Sequence, residues 1–95
     1  MIAAEAIVYR AAAMYDAGQN PGVEANTAKM LAADAGWEAA EACLQTHGGF
    51  GFAEEYDVER KFREARLYQV APISTNLILC YIAEQVLGSP KSYGA

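Results

Sequence analysis

Between Leu77 and Leu87 the chain carries Leu77, Ile78, Leu79, Tyr81, Ile82, Ala83, Val86 and Leu87, which leaves almost no polar face. A helix that is apolar nearly all round must be covered on several sides. Ninety-five residues make one domain at most, and a domain of that size buries only a modest share of its surface. Together these facts constrain the fold strongly. The last helix has to find cover beyond this chain, in another subunit or in a domain this sequence lacks. The expectation is one helical domain, residues 1–95, completed by oligomerisation.

The rest of the sequence reads as helix throughout. Ile2, Ala3, Ala6, Ile7, Ala13, Met14 and Ala17 recur at three- and four-residue steps and predict a helix over 2–17 with these residues on its packed face. Gly18 can end it. Asn20 suits a helix N-cap, and Pro21 suits the first helical position, where its missing N–H costs nothing. A second helix is expected from Gly22 to Thr46, with a narrow stripe of Ala28, Leu31, Ala32, Ala35, Ala39, Ala42 and Cys43. Gly48 to Asp57 reads as a loop, and Val58 to Leu67 as a short charged helix. Pro72 pushes Ala71 out of helical geometry. Ser74, Thr75 and Asn76 then offer caps for the final helix, which stops at Gly88.

Composition narrows the function classes. The chain is 54% hydrophobic and 20% charged, a balance suited to a soluble helical protein. A net charge of −5 leaves no surplus of Lys and Arg to displace counterions from a nucleic acid. No apolar run approaches the length of a bilayer span, and the N-terminus lacks the pattern of a signal peptide. Cys43 and Cys80 lie in apolar patterns without CxxC spacing, so buried free thiols in the cytoplasm are expected.

Chemistry-bearing residues are few. In Gln45-Thr46-His47-Gly48-Gly49-Phe50-Gly51-Phe52 three glycines let the main chain approach a ligand and present N–H groups to an anion. On local sequence alone a glycine-rich helix end is the simpler reading. No strand precedes the loop and no Gly-Lys-Ser/Thr follows it, so it fits neither a dinucleotide fingerprint nor a P-loop. His47 is the only histidine; without a Ser, Cys or Asp partner it reads as a helix-end residue facing the dipole. One histidine and scattered acids make no metal site. Asp34, Glu38, Glu41 and Gln45 form a polar stripe, and a solvated face is expected for its three acids. Arg60, Lys61, Arg63 and Arg66 are interleaved with Glu59 and Glu64 and predict an ion-paired helix.

From Gln45 to Gly88 the chain resembles the C-terminal helical domain of the acyl-CoA dehydrogenase family. The resemblance rests on Gln45 to Phe52, then Val58-Glu59-Arg60, Arg63-Glu64-Ala65-Arg66-Leu67 and Gln69, then an apolar helix, in that order. Residues 1–44 fit the preceding helices with little motif. The resemblance implies an all-α fold of antiparallel helices forming about half of a four-helix bundle. It further implies that Met1 is an artificial or misassigned start, or that the chain is a truncation. Family members place the matching glutamine and glycines on the adenosine diphosphate part of FAD, held mainly by a neighbouring subunit. Carried over, cofactor contact falls on Gln45, Thr46, His47, Gly48 and Gly49, with Ser74 and Asn76 near the flavin ring.

One departure limits the analogy. Many members have an aromatic-Glu-Gly-Thr-Ser run whose glutamate removes the α-proton of an acyl thioester. Here the run is Ala71-Pro72-Ile73-Ser74-Thr75, and Pro72 at the glutamate position cannot act as a base. No catalytic residue is therefore assigned to this chain. The resemblance implies a base on an earlier helix, ahead of a base from another subunit or of different chemistry. The leading expectation is part of an FAD-dependent acyl-CoA dehydrogenase, inactive alone and a homo-oligomer (dimer or tetramer), with acyl-CoA bound in the intact parent. The competing one is a non-enzymatic helical assembly module. Neither involves nucleic acid or membrane insertion.

Overall fold

The computed structural model describes residues 1–71 and 73–91, and every regular element in them is helical. Four α-helices follow one another: α1 (Ile2–Asp16), α2 (Gly22–His47), α3 (Val58–Val70) and α4 (Thr75–Leu87). Two short 3₁₀ turns, Gly48–Phe52 and Glu54–Tyr56, fill the segment read from sequence as an irregular loop.

The helix ends follow from their residues. Gly18, at φ 77°, closes α1, and Gln19 N–H reaches back to Met14 O at 2.9 Å. The start of α2 is shifted by one residue from the expectation: Pro21 takes the cap position, its carbonyl accepting Ala25 N–H at 2.7 Å, and Asn20, one residue earlier, accepts Gly22 N–H through Oδ1 at 3.0 Å. Ala71 is extended (φ −129°, ψ 146°), as a residue before proline should be. Ser74 is the residue that caps α4, its Oγ accepting from Leu77 N–H at 3.3 Å. Gly88, at φ 71°, ends α4.

Helix α2 is the hub on which the other three helices pack. Trp37 meets Phe62, Asp34 meets Gln69, Lys29 meets Ile73, and the Tyr81 hydroxyl covers Gly22. Partners descend α2 as they ascend α3 and α4, so these two helices form one interrupted rod antiparallel to α2. The result is a slab of 47 × 31 × 18 Å. Its radius of gyration is 16.3 Å, against about 13 Å for a compact domain of similar length. A single layer of helices has little interior. Among the described residues the buried hydrophobic side chains are Ala4, Ala11, Ala28, Ala33, Val58 and Ile78, and of these Ile78 is the one that is fully buried. Leu79, Val86 and Leu87 on α4 stay exposed.

The structure corrects several expectations. The packed face of α1 is Ala4, Ile7, Ala11 and Met14; Ile2, Ala3, Ala6, Ala13 and Ala17 face outward. Alanine on every side of the helix hid the true stripe. On α2, Ala28 and Ala33 are buried, while Ala32, Ala39, Ala42 and Cys43 are exposed in the open slab. Cys43 is thus a free but exposed thiol, and Cys80 is half-buried. Helix α3 runs to Val70, three residues beyond the predicted end, and α2 runs one further, to His47. The segment Val58–Leu87 contains an 18-residue window whose mean hydropathy, 1.4, reaches the range of a bilayer span. It is divided into two helices of 13 residues each, and a span needs about 20 in one helix.

Candidate functional site: a glycine-rich helix end and a helix break

The residues singled out from sequence fall into two clusters, both built on α2. The first is its C-terminal end. Thr46 Oγ1 donates to Ala42 O at 2.7 Å. His47 Nδ1 lies 2.9 Å from Cys43 O; a carbonyl only accepts, so Nδ1 carries the hydrogen and Nε2 is left as an acceptor in the neutral ring. His47 therefore sits in the last turn with its ring turned to the helix carbonyls, the helix-end role read from sequence. Gln45 is exposed and makes no side-chain hydrogen bond among the described residues. Phe50 packs on Tyr56 at 5.6 Å between ring centroids, and His47 lies 6.3 Å from the same ring. Phe50 and Phe52 are nonetheless 67% and 79% exposed, so this end of the slab presents aromatic surface.

The glycines of this end differ in what they do. Gly48 has φ 59° and ψ −135°, a conformation side chains with a Cβ avoid. Gly51 is buried, and a Cβ there would stand 2.8 Å from Leu44 Cδ1 and 2.9 Å from Leu44 O. The backbone of the turn thus rests directly on α2. Gly49 has neither reason. Its φ lies outside the left-handed range, and a Cβ there would meet nothing within 4 Å.

The second cluster is the break between α3 and α4. Asp34, Arg66, Gln69, Val70, Ser74, Thr75 and Asn76 line a cleft of about 240 Å³. Gln69 Nε2 donates to Asp34 Oδ1 at 2.9 Å, and Arg66 donates to Gln69 Oε1. Thr75 Oγ1 donates to Gln69 O at 3.3 Å, and Lys29 Nζ to Ile73 O at 2.6 Å. Ser74 accepts a backbone N–H through Oγ, which leaves its own hydroxyl hydrogen free to donate into the cleft. Asn76 is exposed and makes no side-chain hydrogen bond among the described residues. Pro72, read as standing in for a base, lies outside the described residues.

Asp34 corrects the reading of its stripe as solvated. Glu38 and Glu41 are exposed, but Asp34 is half-buried and paired with Gln69. Neither this pair nor the Lys29 contact was apparent from sequence. The partners are 35 and 44 residues apart, and only the antiparallel packing of the broken rod brings them together. The arginines behave as read. Arg60 contacts Asp57 at 3.4 Å and Glu64 at 3.2 Å, and Arg63 contacts Glu59 at 2.8 Å. The Glu59 carboxylate holds Arg63 further up from its ordinary range. Arg66 lies 5.4 Å from the centre of the Trp37 ring. Among the described residues no three His, Cys, Asp or Glu side chains gather as metal ligands would.

The structure brings Gln45, Thr46, His47, Gly48 and Gly49 to one place and Ser74 and Asn76 to another. Asp34 and Gln45, which mark the two clusters on α2, are eleven positions apart, roughly 16 Å at helical rise. Both places lie on α2, within an all-helical fold.

Comparison with known proteins agrees. The pattern described as acyl-CoA dehydrogenase, C-terminal domain, matches residues 1–87. The acyl-CoA dehydrogenase FadE12 of Mycobacterium tuberculosis is 39% identical over 92 residues, covering 95% of this chain. The cyclohexane-1-carbonyl-CoA dehydrogenase of Geobacter metallireducens is 36% identical over 85 residues, covering 90% of it. The 3-(aryl)acrylate reductase of Clostridium sporogenes is 33% identical over 85 residues, with the same coverage. The chain belongs to the acyl-CoA dehydrogenase family, and it spans about a quarter of the length of these relatives (24% of FadE12, 22% of the other two). The family consists of oxidoreductases that generally depend on FAD, bind acyl-CoA and form oligomers.

Proposed function

We propose that this chain is the C-terminal, FAD-contacting part of an acyl-CoA dehydrogenase and that residues 1–95 form its single helical domain. One observation carries the cofactor assignment. Gly49 is a glycine that neither backbone conformation nor a neighbour among the described residues requires. Beside it stand an exposed glutamine amide and an exposed aromatic surface. The adenosine diphosphate part of FAD, held mainly by a second subunit, suits that setting. The Gln45 amide and the main-chain N–H of Gly49 are donors for pyrophosphate oxygens; Gly48, whose own N–H donates to Gln45 O, turns the chain so that it can approach the ligand, and Thr46 and His47 set the helix end that presents them. At the helix break, Ser74 and Asn76 supply donors for the polar edge of the flavin.

FAD, when bound, takes up the hydrogen removed from the β-carbon of an acyl thioester; the protein orients the partners and supplies the base. This chain's share is binding and orientation. Proline has no ionisable group, so the base comes from a preceding helix of the longer protein, and the chain alone turns nothing over. Relatives named as dehydrogenases and one named as a reductase share this segment, so the direction of the reaction is set outside it. The parent is a soluble cytoplasmic homo-oligomer, dimer or tetramer, and the exposed face of Leu79, Val86 and Leu87 is where copies or domains meet. That same face supports a second reading, an assembly module without chemistry.

A chimera decides between them. The chain is joined to the preceding domains of the Mycobacterium tuberculosis relative and purified beside the chain alone. The expected result is bound flavin and acyl-CoA oxidation in the chimera, neither in the chain alone, and lower flavin content with Gly49→Val. An assembled but colourless chimera would establish the module reading. Turnover by the chain alone would overturn the assignment of the base to a missing helix.

A further inference from the structure

The helix break is held from outside its own rod. Interrupting a helix strands backbone carbonyls, which water or side chains must then serve. Here two of them sit on opposite sides of Pro72. Gln69 O is taken by Thr75, within the rod, but Ile73 O is taken by Lys29 Nζ, which reaches it at 2.6 Å from α2. On the other flank Asp34, also on α2, holds the Gln69 side chain at 2.9 Å. Lys29 and Asp34 are five positions apart on one helix, roughly 7.5 Å along its axis, and they grip residues four apart across the break.

We propose that Lys29 and Asp34 are positioning residues: together they fix the opening of the α3–α4 break and so the places of the Ser74 hydroxyl and the Asn76 amide in the cleft. The functional half of this rests on the reading of the cleft as a flavin and acyl thioester site. The chemistry of the grip explains why these residue types are used. A lysine has the reach to bond a carbonyl from a neighbouring helix, and its charge strengthens the bond. An aspartate accepts from the Gln69 side-chain Nε2 and leaves the side-chain oxygen, Oε1, to Arg66. Ser74 follows directly after Ile73, so a shift of the Ile73 carbonyl turns the capping residue of α4 with it.

Two measurements test the halves separately. In the chain itself, amide hydrogen exchange at Leu77 and Ile78 reads the opening of the break, and exchange in the first half of α3 serves as the internal control. Lys29→Met and Asp34→Leu each speed exchange at Leu77 and Ile78, by about twofold for the exposed lysine contact and by up to about tenfold for the part-buried aspartate contact. Lys29→Arg and Asp34→Asn, which keep a donor and an acceptor, return it to the rate of the unsubstituted chain. Unchanged exchange in both disruptive variants overturns the grip, and so does an equal rise along α3, which marks general loosening. In the chimera with the Mycobacterium tuberculosis relative, Lys29→Met lowers kcat and shifts the flavin absorption band while KM stays nearly constant, and Lys29→Arg recovers both. A normal kcat with altered exchange overturns the positioning role and leaves the flavin reading standing. A chimera that takes up no flavin fails that reading instead, and the exchange data still decide the grip.

Discussion

The chain treats two of the interruptions between its helices, those on either side of α3, oppositely. At the break between α3 and α4 it closes the interruption with its own side chains, through Lys29, Asp34, Thr75 and Ser74. At the glycine-rich end of α2 it spends Thr46 and His47 on helix carbonyls and leaves Gln45 and Gly49 facing outward. The difference separates what the fold requires from what an external partner requires. A break within a rod must be satisfied locally or the rod comes apart. A helix end at the rim of a slab can stay open, because water serves it until a ligand or another subunit arrives.

The largest expected effect lies where the glycine end does touch the fold. Gly51→Val should destabilise the protein by about 1–3 kcal/mol, the range for overpacking a filled site. Its Cβ runs into the Leu44 carbonyl, which belongs to α2 and cannot swing aside as a side-chain tip can. Urea unfolding followed by the fluorescence of Trp37, the only tryptophan, measures this at the α2–α3 interface. An unchanged midpoint would mean the turn does not rest on α2 and that both ends of the comparison are open.

Next is the break. Ser74→Ala removes the cap of α4 and should cost about 1 kcal/mol. Thr75 and Asn76 are also cap-type residues, so a slip of the helix start could blunt the loss. Exchange at Leu77 N–H, the group Ser74 accepts from, shows which happens: strong acceleration places the whole cap on Ser74, and a small change means a neighbour has taken over. Lys29→Met follows at about 0.5 kcal/mol, the low end for a single hydrogen bond because the contact is exposed. Comparing urea midpoints of the two variants with their double mutant sharpens the picture. If the cap and the lysine hold the same break, the combined loss falls short of the sum.

The punctuation of the fold was legible in the sequence because it is chemically local. Asn20 before Pro21, Ala71 before Pro72, Ser74 before an apolar run, and Gly18 and Gly88 after one each act within a few residues of their own position. The packing was less legible. On α1 alanine occupies every side, so periodicity could not single out Ala4, Ile7, Ala11 and Met14. Cys43 looked buried because its stripe is apolar, but a slab one helix thick leaves much of that stripe uncovered. The site divides in the same way. Gln45 to Gly49 could be read as a unit because they are contiguous. The Asp34–Gln69 and Lys29–Ile73 contacts could not, since nothing in their spacing sets them apart from a solvated acid and a surface lysine.

The smallest effect on the fold is expected at Gly49, and it discriminates most. Gly49→Ala adds a methyl group where nothing lies within 4 Å and where φ lies outside the left-handed range. Surface changes of that kind stay within about 0.5 kcal/mol. Replacing a glycine also narrows the unfolded ensemble, which pushes toward a slight gain. The unfolding midpoint of the chain should therefore hold or rise, opposite in sign to Gly51→Val two residues away. A clear loss would mean that the fold itself uses Gly49, and the argument for an outside partner at this end would lose its main support. If the midpoint holds while the chimera retains less flavin, the methyl group is excluded by something that is not part of this chain. Two glycines in one turn would then be separated by experiment into one that α2 demands and one that a ligand demands.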